Sequence, residues 1–417
     1  MAKKVLIIGG GIIGLSAAYY ANKEGHQVTV IDKSAMNAGA SYVNAGYLTP
    51  SHIIPLAAPG VMKKGLKWMF NPASPLYIKP RLDSDFLKWA WAFNKSCTTA
   101  NVDRSVRAIR DINLMSRELF FDLKRDEAFK FHLEHKGLLM LCQTHKMLEQ
   151  EVQVASLANN EGLEAREINL SELAAMEPNC KINAVGAVHY GCDGHTTPTE
   201  LMTELKELLP KKGVKIRQKE EVLSITYASN TIKTVTTNKE TYAPDEVILA
   251  AGSWSAKLAK QLKIPLLLEA GKGYGINSER DLGISMPAVL CENKVAVTPM
   301  NGFTRFAGTM EIAGINHNIN KVRVQAIAQA TEKYYPDIKI TEQEQQEAAC
   351  GLRPVSPDGM AYIGRSKKCD NLVFATGHAM MGWSMGPATG KLISQIISDQ
   401  KTSIDMTAFN PDRKFKA

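Results

Sequence analysis

Lys4-Val5-Leu6-Ile7-Ile8-Gly9-Gly10-Gly11-Ile12-Ile13-Gly14 decides the fold of this chain. Val5 to Ile8 are apolar and β-favouring, which predicts a short buried strand. Gly9, Gly11 and Gly14 follow at GxGxxG spacing. The Ala-, Leu- and Tyr-rich stretch after them predicts a helix from about Ile12 to Glu24, with Gly25 as its C-cap. Val28 to Ile31 reads as a second strand, ended by Asp32. Gly9 allows the tight turn, Gly11 lets a pyrophosphate approach the backbone, and Gly14 lets helix and strand pack closely. The N–H groups at the helix start, around Ile12 and Ile13, then face phosphate charge. Asp32 lies 21 residues after Gly11, where a carboxylate accepts hydrogen bonds from a ribose diol and disfavours a 2'-phosphate. Strand, glycines, helix and acid together specify a dinucleotide site. By themselves they do not separate FAD from NAD.

The rest of the chain fits a large α/β protein. Its 417 residues are 45% hydrophobic and include 30 glycines, which suits two domains or one domain interrupted by another. Lys and Arg exceed Asp and Glu by 50 to 42, a mild +8. No dense basic run stands beside a recognition motif, so nucleic acid is not an expected partner. The seven cysteines, at 97, 142, 180, 192, 291, 350 and 369, include no CxxC pair. Neither a zinc site nor a disulfide framework is indicated, and a reducing, cytoplasmic setting fits best. The N-terminus imitates a signal peptide, but its glycines stand at phosphate-loop spacing. No uninterrupted apolar stretch reaches the ~18 residues of a membrane span.

Residues 34–60 are rich in Ala, Gly, Ser, Asn and Pro, as expected of backbone wrapped around a ligand or of a plain loop. Residues 61–93 mix Trp, Phe and Met with Lys63, Lys64, Lys67, Lys79 and Arg81. A solvated face over an aromatic core is the plainer reading; contact with the inner face of an anionic membrane is the alternative. Helices are expected over about 102–129, 145–160, 170–176 (capped by Ser171), 197–209, 320–334, 342–348 and 386–397. Strands are expected over 137–142, 185–190, 213–216, 221–227, 231–236, 246–250, 264–270, 273–277, 295–299, 303–309 and 371–376. Nucleotide-type elements lie at both ends and around 197–252, with antiparallel-looking material between. The expected fold is therefore α/β. A Rossmann-like dinucleotide-binding domain (1–85, 150–255, 345–417) is interrupted by an α+β substrate domain (86–149, 256–344) with a mixed, largely antiparallel sheet.

Several further stretches resemble the glycine oxidase and D-amino-acid oxidase superfamily of flavoenzymes, and within it the small-subunit type of D-amino-acid dehydrogenase. They are Ser41-Tyr42-Val43-Asn44-Ala45-Gly46, Ala250-Ala251-Gly252-Ser253-Trp254, Lys272-Gly273-Tyr274, Gly351-Leu352-Arg353-Pro354, and Gly377-His378 with Gly382-Trp383. The resemblance spans almost the whole chain. It implies non-covalent FAD, held by Gly9, Gly11, Ile12, Ile13, Gly14, Asp32, Lys33, Ser41, Asn44, Ala45, Gly46, Val222, Ala251, Gly252, Trp254, Gly377, His378, Gly382, Trp383 and Ser384. It implies oxidation of a small amino-acid or amine substrate, with a D-amino acid first and a cyclic or secondary amine second. A flavin-binding subunit of a larger complex is a further reading. Arg353 is expected to grip the substrate carboxylate and Tyr274 to hydrogen-bond it or close the pocket. His378 is expected beside the flavin. His52 either reaches the substrate or is a surface histidine, and Arg305 either lines the pocket or pairs with an acid. The electron acceptor is oxygen, as in the oxidases, or a quinone or carrier protein, as in the dehydrogenases, and the sequence does not choose between them. Two departures stand out. Gly275 follows the Lys-Gly-Tyr stretch where a larger residue is usual, and Cys350 falls out of register for a covalent flavin link, which suggests an inert buried thiol.

Overall fold

A computed structural model describes residues 1–61 and 74–415. Its first sheet has six strands in the order Lys215–Gln218, Gln27–Asp32, Lys4–Ile8, Glu246–Leu249, Leu372–Thr376, Tyr362–Arg365. The first five run parallel and the last runs antiparallel. Strand order reverses on either side of Lys4–Ile8, and ligands of open α/β sheets sit in the crevice at the carboxyl ends of such strands. The four apolar residues of Lys4–Ile8 are all buried, as a strand covered on both faces requires.

Helix Ile12–Lys23 covers one face of this sheet, together with helix Gly386–Ile397. The two helices touch through small residues. A Cβ on Gly386 would lie 2.7 Å from Ile12, and one on Gly390 would lie 2.4 Å from the Ser16 backbone. This close approach brings both helix N-termini to the same crevice.

The second sheet has nine strands and is mixed but largely antiparallel. Its only parallel pairs among the described residues are Ala288–Leu290 with Leu138–Cys142 and Leu76–Ile78 with Phe303–Ile312. The period-2 alternation of strand Glu269–Ser278 sets its two faces. Tyr274 and Ile276 pack under helix Lys321–Tyr334 with Ile327 and Tyr334, while Gly273 and Gly275 turn toward Arg353 and Val43. A small third sheet joins Tyr47–Leu48, Gly194–Thr196 and Leu133–Glu134.

Several segments lie elsewhere than their patterns suggest. Ala165–Ile168, Gly186–Tyr190 and Ala349–Val355 are strands of the nine-stranded sheet, although they fall in spans 150–255 and 345–417. Helix Thr99–Asp126 buries Ile109, Ile112, Leu119 and Leu123 in the core around Ile12 and Leu392, on the six-stranded side. Helical periodicity reveals an apolar face but not which sheet will cover it. The strand expected over 264–270 starts only at Glu269. The helix Leu170–Met176 is capped by Asn169, in a capping box with Glu172, rather than by Ser171. Residues 62–73, with Lys63, Lys64, Lys67 and Trp68, lie outside the described residues. No helix among the described residues is long and apolar enough to cross a membrane.

Candidate active site

A cavity of about 1230 Å³ runs from the carboxyl ends of the parallel strands to the glycine face of the nine-stranded sheet. That exceeds the ~300–1,000 Å³ usual for one small ligand, so a dinucleotide and a small substrate fit together. At the first end, Gly9 adopts φ +115, and a Cβ there would sit 2.4 Å from the Ala250 carbonyl oxygen. A Cβ on Gly14 would sit 1.9 Å from the Gly9 carbonyl oxygen. Gly9, Gly11, Ile12 and Ile13 line the cavity, so the helix start opens onto it. The Asp32 carboxylate accepts from Gly10 N–H at 2.7 Å and from Ser34 N–H at 2.8 Å, which fastens the glycine turn to the strand end. Ser41 Oγ accepts from Ile12 N–H at 3.0 Å and ties the 34–60 loop to the same helix start.

Glu220, which the sequence pattern does not single out, lines this end too. Its N–H donates to the Asp32 carbonyl oxygen at 2.8 Å. Its Oε1 accepts from Thr237 at 2.8 Å and Tyr242 at 2.7 Å, whereas Oε2 is buried without a partner. Buried acceptors are normally paired, and a ribose hydroxyl is a donor of the right kind for this orphan oxygen. Nearby, Lys33 Nζ lies 3.9 Å from the centre of the Trp254 ring, which stacks on His317. The residues present therefore fit an FAD-sized dinucleotide.

At the other end, Arg353 reaches in from strand Ala349–Val355. Its Nη1 donates to the Thr309 carbonyl oxygen at 2.9 Å, and among the described residues no carboxylate pairs with it. Burial, then repulsion from Arg323, pulls its pKa down to about 10, so it stays cationic at neutral pH. The guanidinium lies over Gly273, where a Cβ would come within 2.0 Å of Nη1. His378 is buried, its Nε2 is 3.0 Å from Thr389 Oγ1, and burial lowers its pKa to about 3. It is therefore neutral in the folded protein. Trp383 Nε1 donates to Thr196 Oγ1 at 2.8 Å, and Ser384 Oγ accepts from Thr49 N–H at 3.0 Å.

Most residues expected at the site face this cavity: Gly9, Gly11, Ile12, Ile13, Asp32, Lys33, Ser41, Asn44, Ala45, Val222, Ala251, Gly252, Trp254, His378, Gly382, Trp383 and Ser384, with Arg353 and His52, while Tyr274 borders it but sends its ring to the helix side of the sheet. Gly14, Gly46, Gly377 and Arg305 stand behind its wall. Arg305 meets neither expectation. It donates to Asn277 Oδ1 and to the Tyr42 and Asn44 carbonyl oxygens at 2.9, 2.8 and 2.7 Å, and so fixes the loop that carries Val43. The Tyr274 hydroxyl turns under the helix and donates to Glu311 at 2.7 Å, which raises its pKa through burial and that carboxylate. Gly275 does not open the pocket, because a Cβ there would meet Val43 at 3.1 Å; it lets that loop pack on the sheet. Cys350 is half-buried rather than sealed, and its thiol donates to the His317 carbonyl oxygen at 3.5 Å.

His52 lines the cavity with Tyr47, Met140, Val289 and Lys294. Its Nδ1 is 3.1 Å from Ser51 Oγ and 4.0 Å from Asp193 Oδ2. Burial pushes Asp193 up to about 7, against the bonds from Ser51 that lower it. Asp193 therefore holds its proton in the fold above the ordinary 3.8 and destabilises the fold progressively as pH rises from about 4 to about 7. His52, lowered to about 4 by burial and Lys294, acts with the opposite sign, so the variant isolates the carboxyl. The stability of Asp193→Asn, measured by denaturant melts, gains on wild type across that window. A constant difference from pH 4 to 8 would refute this.

Residues 4–396 match the family model described as FAD dependent oxidoreductase. The chain is 31% identical over 412 residues to the D-amino acid dehydrogenase of Neisseria meningitidis serogroup C (strain 053442), covering 96% of this chain and 97% of that one. Its fold superposes on glycine oxidase from Geobacillus kaustophilus with a TM-score of 0.78 at 21% identity, covering 99% of both chains. It superposes on L-proline dehydrogenase from P. horikoshii with a TM-score of 0.75 at 19% identity, over 98% of this chain and 97% of that one.

Proposed function

The chain belongs to the FAD dependent oxidoreductase family, and on that premise we propose that it oxidises D-amino acids to 2-oxo acids and ammonia. The observation that carries this reading is a half-buried guanidinium, Arg353, with no acidic partner among the described residues, at the substrate end of a dinucleotide cavity. FAD held there non-covalently supplies the hydride acceptor. The start of helix Ile12–Lys23 receives the pyrophosphate, and Asp32 and Glu220 accept ribose hydroxyls. Arg353 binds the substrate carboxylate as a fork and so orients the α-carbon. Its position is held by the Thr309 carbonyl and by the space above Gly273. His378, neutral and tied to Thr389, contributes a polar contact without a charge. Val43, Met140, Val289 and Ala296 form apolar walls that exclude water from the reacting amine.

A quinone or carrier protein as electron acceptor is supported by the exposed Leu82, Leu87 and Trp91 beside Lys88 and Lys95, at one flank of the protein. The test of the substrate is anaerobic reduction of the bound flavin by D- and L-alanine, glycine, sarcosine, D- and L-proline and the hydroxyprolines. D-amino acids are expected to bleach the flavin. Bleaching by cyclic or N-methylated amines alone would transfer the assignment to secondary amines, and no bleaching at all would remove the clamp role of Arg353 or require a partner subunit.

A further inference from the structure

We propose that His132, Glu134 and His195 form a binding site for a zinc-class divalent cation in the small three-stranded sheet behind the cavity wall. Strand geometry assembles the three. His132 and Glu134 are two residues apart and share a face, and Glu134 stands directly opposite His195 in the antiparallel pair of Leu133–Glu134 with Gly194–Thr196. One ligand atom from each lies within 4.8 Å of the others. His132 Nε2 is 3.6 Å from Glu134 Oε1, and His195 Nε2 is 3.8 Å from Glu134 Oε2. These gaps are too long for direct hydrogen bonds. They are a few tenths of an ångström wider than the roughly 3.3 Å that ~2.0 Å metal bonds give around a tetrahedral ion.

An independent observation points to a ligand. His195 is 0% exposed, and neither of its ring nitrogens has a hydrogen-bond partner of ordinary geometry. The Pro299 carbonyl is the backbone group close enough to influence the ring, and a carbonyl behind a metal-bound imidazole is the usual support for it. A fully buried imidazole whose nitrogens lack well-formed hydrogen bonds is costly, and a cation at Nε2 relieves that cost. His132 is prepared in the same way. Its Nδ1 is engaged by Thr197 Oγ1 at 3.3 Å, which leaves Nε2 on the Glu134 side. Lys136 Nζ now sits 2.8 Å from Glu134 Oε2, but its side chain is half exposed and free to swing outward. Two imidazoles and one carboxylate select a borderline cation such as Zn²⁺ over Mg²⁺ or Ca²⁺, with the fourth position open to water past the partly exposed Glu134.

The site would act on structure and not on the reaction. Thr196, next to His195, accepts from Trp383 and donates to the Gly46 carbonyl oxygen at 3.1 Å, and His195 pairs with Tyr47 in the same sheet. A cation here ties together the strands that hold the loop 41–47 and Trp383 against the cavity.

The test uses the full-length, flavin-loaded protein, stripped of metal by chelation and then titrated with zinc sulfate against a chromophoric competitor. Wild type is expected to take one equivalent at micromolar or lower free zinc and to melt at a higher temperature with it. Glu134→Gln and His132→Gln, both at partly exposed positions, should each weaken binding at least tenfold and lose the thermal shift while keeping wild-type flavin content. No retained equivalent in wild type overturns the proposal. So does an equivalent held equally well by both variants, which would place the zinc on other histidines or cysteines.

Discussion

Arg353→Lys is expected to lower kcat/KM for a carboxylate-bearing amine by about a hundred- to a thousandfold, with flavin content unchanged. Two charge-assisted hydrogen bonds in fork geometry are together worth about 3–4 kcal/mol in such a setting, and a lysine supplies the charge without the fork. The effect should be largest there because nothing in the described structure neutralises Arg353. Among the described residues its guanidinium donates to the Thr309 carbonyl, which occupies a single N–H and leaves the remaining donors for a ligand. Gly273→Ala provides a second arm. Its Cβ would fall 2.0 Å from Nη1, so the guanidinium must move although its charge is intact. The alanine variant should lose most of the same factor for amino acids and little for an amine that lacks a carboxylate. If both variants lose flavin or melting temperature in place of substrate selectivity, Arg353 is a packing residue and the clamp is elsewhere.

Gly14→Val should abolish stoichiometric FAD in the purified protein. The first added carbon already lies 1.9 Å from the Gly9 carbonyl oxygen and 3.4 Å from Ile7. The overlap is between Cβ itself and the Gly9 backbone, so no rotamer relieves it and the helix start must lift away from the strand end. That displacement moves the N–H groups of Gly11 to Ile13 off the phosphate position and loosens the contact of Gly386 with Ile12 at the same time. The flavin-to-protein ratio after gel filtration reads the outcome. A full complement of FAD in a folded Gly14→Val protein would show that this packing does not position the dinucleotide.

Much of the first half of the site was legible along the chain, because its parts are close in sequence. The glycine turn, the helix it opens and Asp32 lie within one 29-residue unit, Lys4–Asp32, and local spacing maps directly onto contacts there. Glu220 escaped notice because its importance comes from an unpaired oxygen, which exists only once Thr237 and Tyr242 have taken the other one. The substrate end was legible as residue types but not as directions. Arg353 and Tyr274 come from adjacent strands of one sheet, yet one faces the cavity and the other buries its hydroxyl on Glu311. A register shift between Lys272 and Tyr274 lies in the pairing of Glu269–Ser278 with its other neighbour, Phe303–Ile312, and no pattern in the sequence announces it.

The same division explains the histidine and carboxylate cluster behind the wall. Counting cysteine spacings argues against zinc, and it is silent about His195, which stands 61 residues from Glu134 in the chain and opposite it in the sheet. By itself the sequence determined an α/β core of dinucleotide-binding type, and it marked the glycine turns, His378 and Arg353 as candidates for the cofactor and substrate ends of the site. Those features depend on local backbone chemistry: missing side chains, helix ends and strand alternation. Tertiary structure alone decided which arginine stays unpaired, which hydroxyl is diverted and which segments join which sheet. Those outcomes depend on long-range pairing, where a neighbour from elsewhere in the chain either satisfies a polar group or leaves it free to bind.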